Sequence, residues 1–347
     1  MLEIIIPDMG HGNCIGIFDK RLPPLLIDCG TTNDNKINNF TKLIKRRLRK
    51  VNSRDLIITH YHFDHYSLLG NFPGKFFDNI YLPALPQESP TAQAMEKFLA
   101  LAIVTRYEKY YLTPIILSSG KNIRCLVKNE SFDVMGRDWE VLWPNYKIID
   151  KINRRKIKTI FNKINEVKGK LNDRQSHEFE NWYNYLSEYF SEEPKKLDNF
   201  PREMPKNNEM DMEVQGALIS IEKIFKDIAN RASLVVRDEI IDFLFTGDVD
   251  RTVLNKYLDF GDHRYFLIEA PHHGGYYGYA FDNISTEVLV ISREVNYKPN
   301  CKFFRNLPWN ILVDTGRTGN CIIQSTGRRK GAIVCSNRTT PLHVCFI

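Results

Sequence analysis

The chain has 347 residues, 43% hydrophobic and 26% charged. That is enough for one large α/β domain with an insertion or for two ordinary domains, and too much for a single small module. No apolar run approaches the roughly 20 residues that span a bilayer, so a globular protein without membrane contact is expected. Forty-eight Lys and Arg against 42 Asp and Glu leave a net charge of +6, which suits a polyanionic ligand without establishing one. The cysteines (Cys14, Cys29, Cys125, Cys301, Cys321, Cys335, Cys345) are odd in number, widely spread and without a CxxC pair. They read as reduced thiols of a cytoplasmic protein. The first residues lack a cationic start, and their apolar run is too short for a secretory signal.

Leu2 to Ile6 and Cys14 to Phe18 are short apolar runs separated by the turn Asp8-Met9-Gly10-His11-Gly12-Asn13, a hairpin signal. Leu25, Leu26 and Ile27 predict a buried strand that ends at Asp28-Cys29-Gly30, placing a carboxylate on a strand-to-loop edge. Between Lys36 and Lys50, Ile37, Phe40, Leu43, Ile44 and Leu48 recur at helical spacing, with Lys42, Lys45, Arg46, Arg47, Arg49 and Lys50 around the other side. Leu56-Ile57-Ile58 is the next buried strand, and it runs directly into Thr59-His60-Tyr61-His62-Phe63-Asp64-His65. Gln87 to Tyr111 reads as helix and Lys121 to Val141 as short strands. From about Lys147 to Glu213 the composition shifts to alternating charge with few glycines, predicting a helical insertion that ends in the Pro-containing linker Asp198 to Met212. Strands resume at Ser233 to Arg237 and at Ile240 to Phe245, which runs into Thr246-Gly247-Asp248. Tyr265 to Ala270 then delivers Pro271-His272-His273-Gly274-Gly275. Val288 to Ser292, Ile311 to Asp314, Cys321 to Ser325 and Ala332 to Cys335 complete a strand-rich C-terminal half.

The chemistry collects where strands stop. His60, His62, Asp64 and His65 form an HxHxDH run, and imidazole with carboxylate is a ligand mixture that zinc, manganese or iron accepts. A chance occurrence has odds on the order of a few in ten thousand, so the run carries weight. In an extended loop His60 and His62 point the same way, while Asp64 and His65 at the turn can reach a second ion. Two ions about 3.5 to 4 Å apart is the arrangement this would build.

At these residues the sequence resembles the metallo-β-lactamase superfamily, and within it most closely the soluble hydrolase domain of the ComEC competence proteins. Asp28 in LIDCG matches the family's first acidic motif, which braces the ligand loop. Asp248 in FLFTGD matches the carboxylate that bridges the two metals, and His272 in APHHGG the final histidine. Asp8 to Asn13, Asn230 to Val235 and His272 to Gly275 stand where the ComEC-like opening, pre-TGD strand and HHGS motifs would be. The resemblance implies a single-domain four-layer αββα sandwich with the insertion at about 147–213.

It further implies two divalent ions, Zn2+ or Mn2+, held by His60, His62, Asp64, His65, Asp248 and His272. The usual third histidine of the first metal has no counterpart. Asn230 stands near that place and His11 is a substitute across the hairpin, so the first ion is expected to be weakly held. Asp64 would orient the attacking water and accept its proton, and His273 would stabilise charge on the attacked phosphorus. Phosphodiester hydrolysis of DNA or RNA is the expected function. Tyr276 and Tyr277 are candidate substrate contacts, as are Lys45 and Arg46 and the residues Arg328, Arg329 and Lys330. The competing expectations are hydrolysis of a small phosphodiester, thioester or lactam, and a catalytically weak binding module. The insertion is a candidate lid, protein-partner dock or homo-oligomer contact.

Overall fold

A computed structural model describes residues 2–108, 110–191, 195–196, 212–238, 243–297, 304, 307–327, 330–337 and 340–346. The predicted linker Asp198 to Met212 lies outside these residues except for Met212, and so do Cys301, Arg328 and Arg329.

Alternation along the strands sets the layers. In the first strand Leu2, Ile4 and Ile6 enter one core while Ile5 enters another. The same split recurs for Leu25 and Ile27 against Leu26, for Leu234 and Val236 against Val235, and for Phe243 and Phe245 against Leu244. A strand apolar on both faces must be covered on both, so each sheet meets the other sheet inside and helices outside. The result is the expected four-layer αββα sandwich.

One sheet runs, edge to edge, Thr340–Phe346, Lys330–Asn337, Asn320–Gly327, Leu2–Ile6, Ile15–Asp19, Leu22–Ile27, Asp55–Ile57, Phe77–Pro83, Gly120–Leu126 and Lys195–Lys196. The other runs Trp309–Asp314, Ser285–Ile291, Arg264–Glu269, Phe243–Phe245, Val235–Asp238, Arg137–Trp143 and Ser131–Val134. Leu22–Ile27 and Asp55–Ile57 pair in parallel, as do Phe243–Phe245 and Arg264–Glu269. Their carboxyl ends therefore open at one edge of the sandwich, where ligand sites form in parallel sheets.

The basic segment is helical from Asp34 to Leu48 with a π-helical stretch at Thr41–Lys45. It buries Phe40, Ile44 and Leu48 and exposes Lys42, Arg46, Arg49 and Lys50. Two helices of the insertion, Tyr146–Lys168 and Asp173–Tyr189, are capped by Asn145 and by an Asn172/Gln175 capping box. They pack on the Pro90–Thr105 helix, and a further helix, Met212–Arg231, lies against the first of them and against Pro90–Thr105.

Glu96 is buried on the Pro90–Thr105 helix. Burial, partly offset by Ser187 and Lys97, pushes its carboxyl up to about 8. The folded state therefore keeps the proton. This contribution to stability is whole below the ordinary carboxyl value of 4.5 and is lost as pH rises through about 8. Glu96→Gln is expected to melt at nearly the wild-type temperature in mild acid and a few degrees above it near pH 8.5, read by calorimetric melts across pH.

Candidate metal centre

Three carboxyl-terminal strand ends supply the site. Asp55–Ile57 leads into Thr59 and His60, and a one-turn helix, Phe63–Tyr66, presents Asp64 and His65. Phe243–Phe245 leads to Asp248, and Arg264–Glu269 leads to His272 and His273, both at positive φ (51° and 54°). Such a conformation costs about 1–3 kcal/mol per non-glycine residue and concentrates at functional sites.

Asp28, also at positive φ (54°), holds the ligand loop. Its carboxylate accepts from the Thr59 amide at 2.7 Å, the Thr59 hydroxyl at 2.8 Å, the Asn13 amide at 2.9 Å and His65 Nδ1 at 2.7 Å. Behind it, Cys29 N donates to the carbonyl of His65 at 2.7 Å and Asn13 N to that of Asp64 at 3.2 Å. Gly30 lies so close that a Cβ there would sit 2.1 Å from the Asp64 carbonyl oxygen. Only glycine fits.

His60, His62 and Asp248 bring one donor atom each within 4.8 Å of one another, and so do His65, Asp248 and His273. Asp248 belongs to both groups. A third set, His11, Asp64 and His273, adjoins them. Asp248 Oδ2 is 3.7 Å from His60 Nε2 and 3.8 Å from His273 Nε2, while Oδ1 is 3.7 Å from His65 Nε2. Asp64 Oδ2 is 3.5 Å from His273 Nε2 and 3.7 Å from His11 Nε2. These gaps are too long for hydrogen bonds.

Whether the residues suit divalent ions is decided by the nitrogens. Nε2 of His60, His62, His65 and His273 are all buried without a hydrogen-bond partner, a costly state for polar atoms unless something else binds them. His273 Nδ1 donates to the Ser292 carbonyl at 2.8 Å, and His65 Nδ1 donates to Asp28. Each partner fixes the ring and leaves Nε2 as the free donor atom, as outer partners of metal-bound histidines do. Among the described residues, Asp28, Asp64 and Asp248 pair with histidines and with no Lys or Arg. Two buried carboxylates and the partly buried Asp64 therefore lack a permanent cation, and divalent ions fit.

The electrostatics follow. Burial holds His60 well below its usual range and lowers His62 to about 4, leaving neutral imidazoles. Burial also opposes charge on His65, yet Asp28, Asp248 and Asp64 outweigh it and raise that ring to about 10. His273 is raised the same way by Asp248 and Asp64. Burial pushes Asp64 and Asp248 up, but the surrounding imidazoles hold both carboxyls well below the usual range. The carboxylates draw positive charge inward, which protons or metal ions can provide.

The other expected residues fall around this cluster. His272, not His273, was expected in the ligand set. The structure puts His273 Nε2 among the converging atoms and His272 at the cavity mouth, with Nδ1 2.9 Å from Asp248 Oδ2 and 3.2 Å from Asn230 Nδ2. Two successive left-handed residues turn the second ring inward. Asn230 is 6% exposed, and its Oδ1 has no partner. Asp8 pairs with Lys36 and accepts from Gly10 N at 3.1 Å, shaping the turn that carries His11.

A cavity of about 360 Å3 opens over the cluster, bounded by His11, Thr32, His62, Asp64, Asp248 and His272 on the sandwich side. The facing wall is Glu108, Tyr110, Glu222, Lys226 and Asn230. Tyr276, Tyr277, Lys45 and Arg46 are not among the lining residues. Tyr276 packs on His272 (ring centroids 4.6 Å apart), Tyr277 stacks on Phe281 (5.5 Å), and Lys45 lies 5.9 Å over the Phe72 ring. Sequence reasoning missed Glu222 and Lys226. It also missed Glu269, a buried carboxyl bonded by the Asn13 amide that burial, with Asp28, pushes up to about 8.

Asp28→Asn preserves the shape of the brace but removes the charge that orients His65 through Nδ1–H. Zinc affinity, measured by competition with a chromophoric chelator, is expected to fall about 10- to 100-fold. An unchanged affinity would show that the brace does not set the site.

The Metallo-beta-lactamase superfamily profile matches residues 10–144, a stretch that includes His11, Asp28 and His60 to His65 and stops short of Asp248. No curated protein matches in sequence. A solved structure of a long form RNase Z from yeast is similar over 100% of this chain and 49% of its own, at 7% identity and a TM-score of 0.38. This chain thus spans about half the length of that protein. Residues 10–144 thus match the metallo-beta-lactamase superfamily, and the two mixed sheets between helices are consistent with that fold.

Proposed function

We propose that the chain is a metal-dependent hydrolase of phosphodiesters. The observation that carries this is the sharing of Asp248 between two buried groups of unpartnered imidazole nitrogens at the floor of a cavity. His60, His62 and Asp248 would hold one divalent ion, zinc or manganese, and His65, His273, Asp64 and Asp248 a second. When bound, such ions lower the pKa of a water from about 15.7 toward about 7, which makes a nucleophile available at neutral pH. Asp64, kept ionised and at the cavity surface, would orient that water and take its proton. His11, beside Asp64 and open to the cavity, would meet the departing oxygen.

Nucleic acid is the source of phosphodiesters favoured by the ComEC-like motifs, by the net charge of +6 and by the exposed Lys42, Arg46, Arg49 and Lys50. A second reading, a small phosphodiester, is favoured by the cavity, whose size is that of a small-ligand site. The two meet in a site that takes a strand end or a short fragment.

Turnover of bis(4-nitrophenyl) phosphate should vanish on chelation and return with manganese, zinc or magnesium. Asp64→Ala and His62→Ala should each lower it by about 100-fold or more. Activity that survives in both variants would overturn the proposal, and no turnover with any of these ions would favour a binding module.

A further inference from the structure

The Met212–Arg231 helix turns two different faces to its surroundings. Leu218, Ile221, Phe225 and Ile228 are buried, whereas Glu222, Lys226 and Asn230 line the cavity. Spaced by four, these three form one stripe. It descends to Asn230, beside His272 and Asp248, with the buried Asn230 Oδ1 unpartnered. At 1.5 Å per residue, Lys226 stands about 6 Å along the helix from Asn230.

Lys226 is also held in place. Its Nζ lies 2.6 Å from Glu222 Oε1, and Glu222 Oε2 accepts the hydroxyl of the buried Tyr107 at 2.6 Å. The lysine is thus tethered to the core through two contacts while remaining half exposed at the cavity. Among the described lining residues it is the one Lys or Arg, with Glu222 beside it and Glu108 elsewhere in the lining. A run of phosphates laid along this wall would meet both carboxylates, whereas a single extra anion at Lys226 would meet the ammonium beside only its tethering partner, Glu222.

Resting on the phosphodiesterase reading above, we propose that Lys226 binds a second anionic group of the substrate. The site would then select phosphodiesters that carry a further phosphate one step from the scissile bond. The scissile group lies over Asp64 and Asp248, and the second anion bonds the Lys226 ammonium as a charge-assisted contact.

The test compares thymidine 5′-(4-nitrophenyl phosphate) with and without a 3′-phosphate, both releasing 4-nitrophenol, in the metal-supplemented full chain. Wild type is expected to prefer the 3′-phosphorylated probe by about tenfold in kcat/KM, chiefly through KM, as one charge-assisted contact allows. Lys226→Met should erase that preference, Lys226→Arg should retain it, and Lys226→Glu should reverse it. A wild type without preference, or a preference that persists in Lys226→Met, overturns this inference and leaves the hydrolase reading standing. No turnover of either probe by wild type overturns both.

Discussion

The site depends on one buried carboxylate. Asp28 has no exposure to solvent and no permanent cation beside it, yet it accepts hydrogen bonds from Thr59, Asn13 and His65. An isolated carboxylate at that depth would cost several kcal/mol. Four donors offset the cost, and each lies on a segment that must be fixed. Thr59 fixes the exit from the Asp55–Ile57 strand, Asn13 the hairpin turn, and His65 the ring that faces Asp64 and Asp248. Gly30 and the amides of Cys29 and Asn13 then clamp the backbone of Asp64 and His65 from behind.

Around that brace the fold needs only to end its strands together. Parallel pairing in both sheets opens the ends of Leu22–Ile27, Asp55–Ile57, Phe243–Phe245 and Arg264–Glu269 at one edge of the sandwich. Their loops deliver imidazoles with Nε2 inward and carboxylates that, among the described residues, have no lysine or arginine partners. The helical additions complete the enclosure from the other side. The Met212–Arg231 helix gives the cavity a polar wall and buries its apolar face against neighbouring helices. Apart from Asn230, residues of this helix that belong to no ligand motif thereby line the approach to the site.

Much of this was legible before the structure. The four layers follow from strands apolar on both faces, as at Leu25-Leu26-Ile27 and Phe243-Leu244-Phe245. His60, His62, Asp64 and His65 were legible because they are contiguous and sit at a strand's end. Asp248 was picked out by its place after a buried strand. That His273 Nε2 also joins the converging atoms was not legible, because it turns on two successive left-handed residues that no local pattern announces. Glu222 and Lys226 looked like any solvated helix face, since spacing cannot say which polar stripe meets a cavity. Asn13 and Glu269 are paired across 256 positions of sequence. Tyr277 and Lys45 pack on Phe281 and Phe72 and are not among the residues lining the cavity, which composition alone does not distinguish.

If imidazoles and carboxylates from distant loops jointly hold divalent ions, anomalous diffraction from crystals grown with manganese or zinc, recorded on both sides of the metal edge, will reveal them. Two peaks sharing Asp248 are expected, one about 2.0–2.3 Å from Nε2 of His60 and His62, the other at the same distance from Nε2 of His65 and His273. Crystals that diffract well yet show no peak there, with those nitrogens bonded to water instead, would contradict such joint binding.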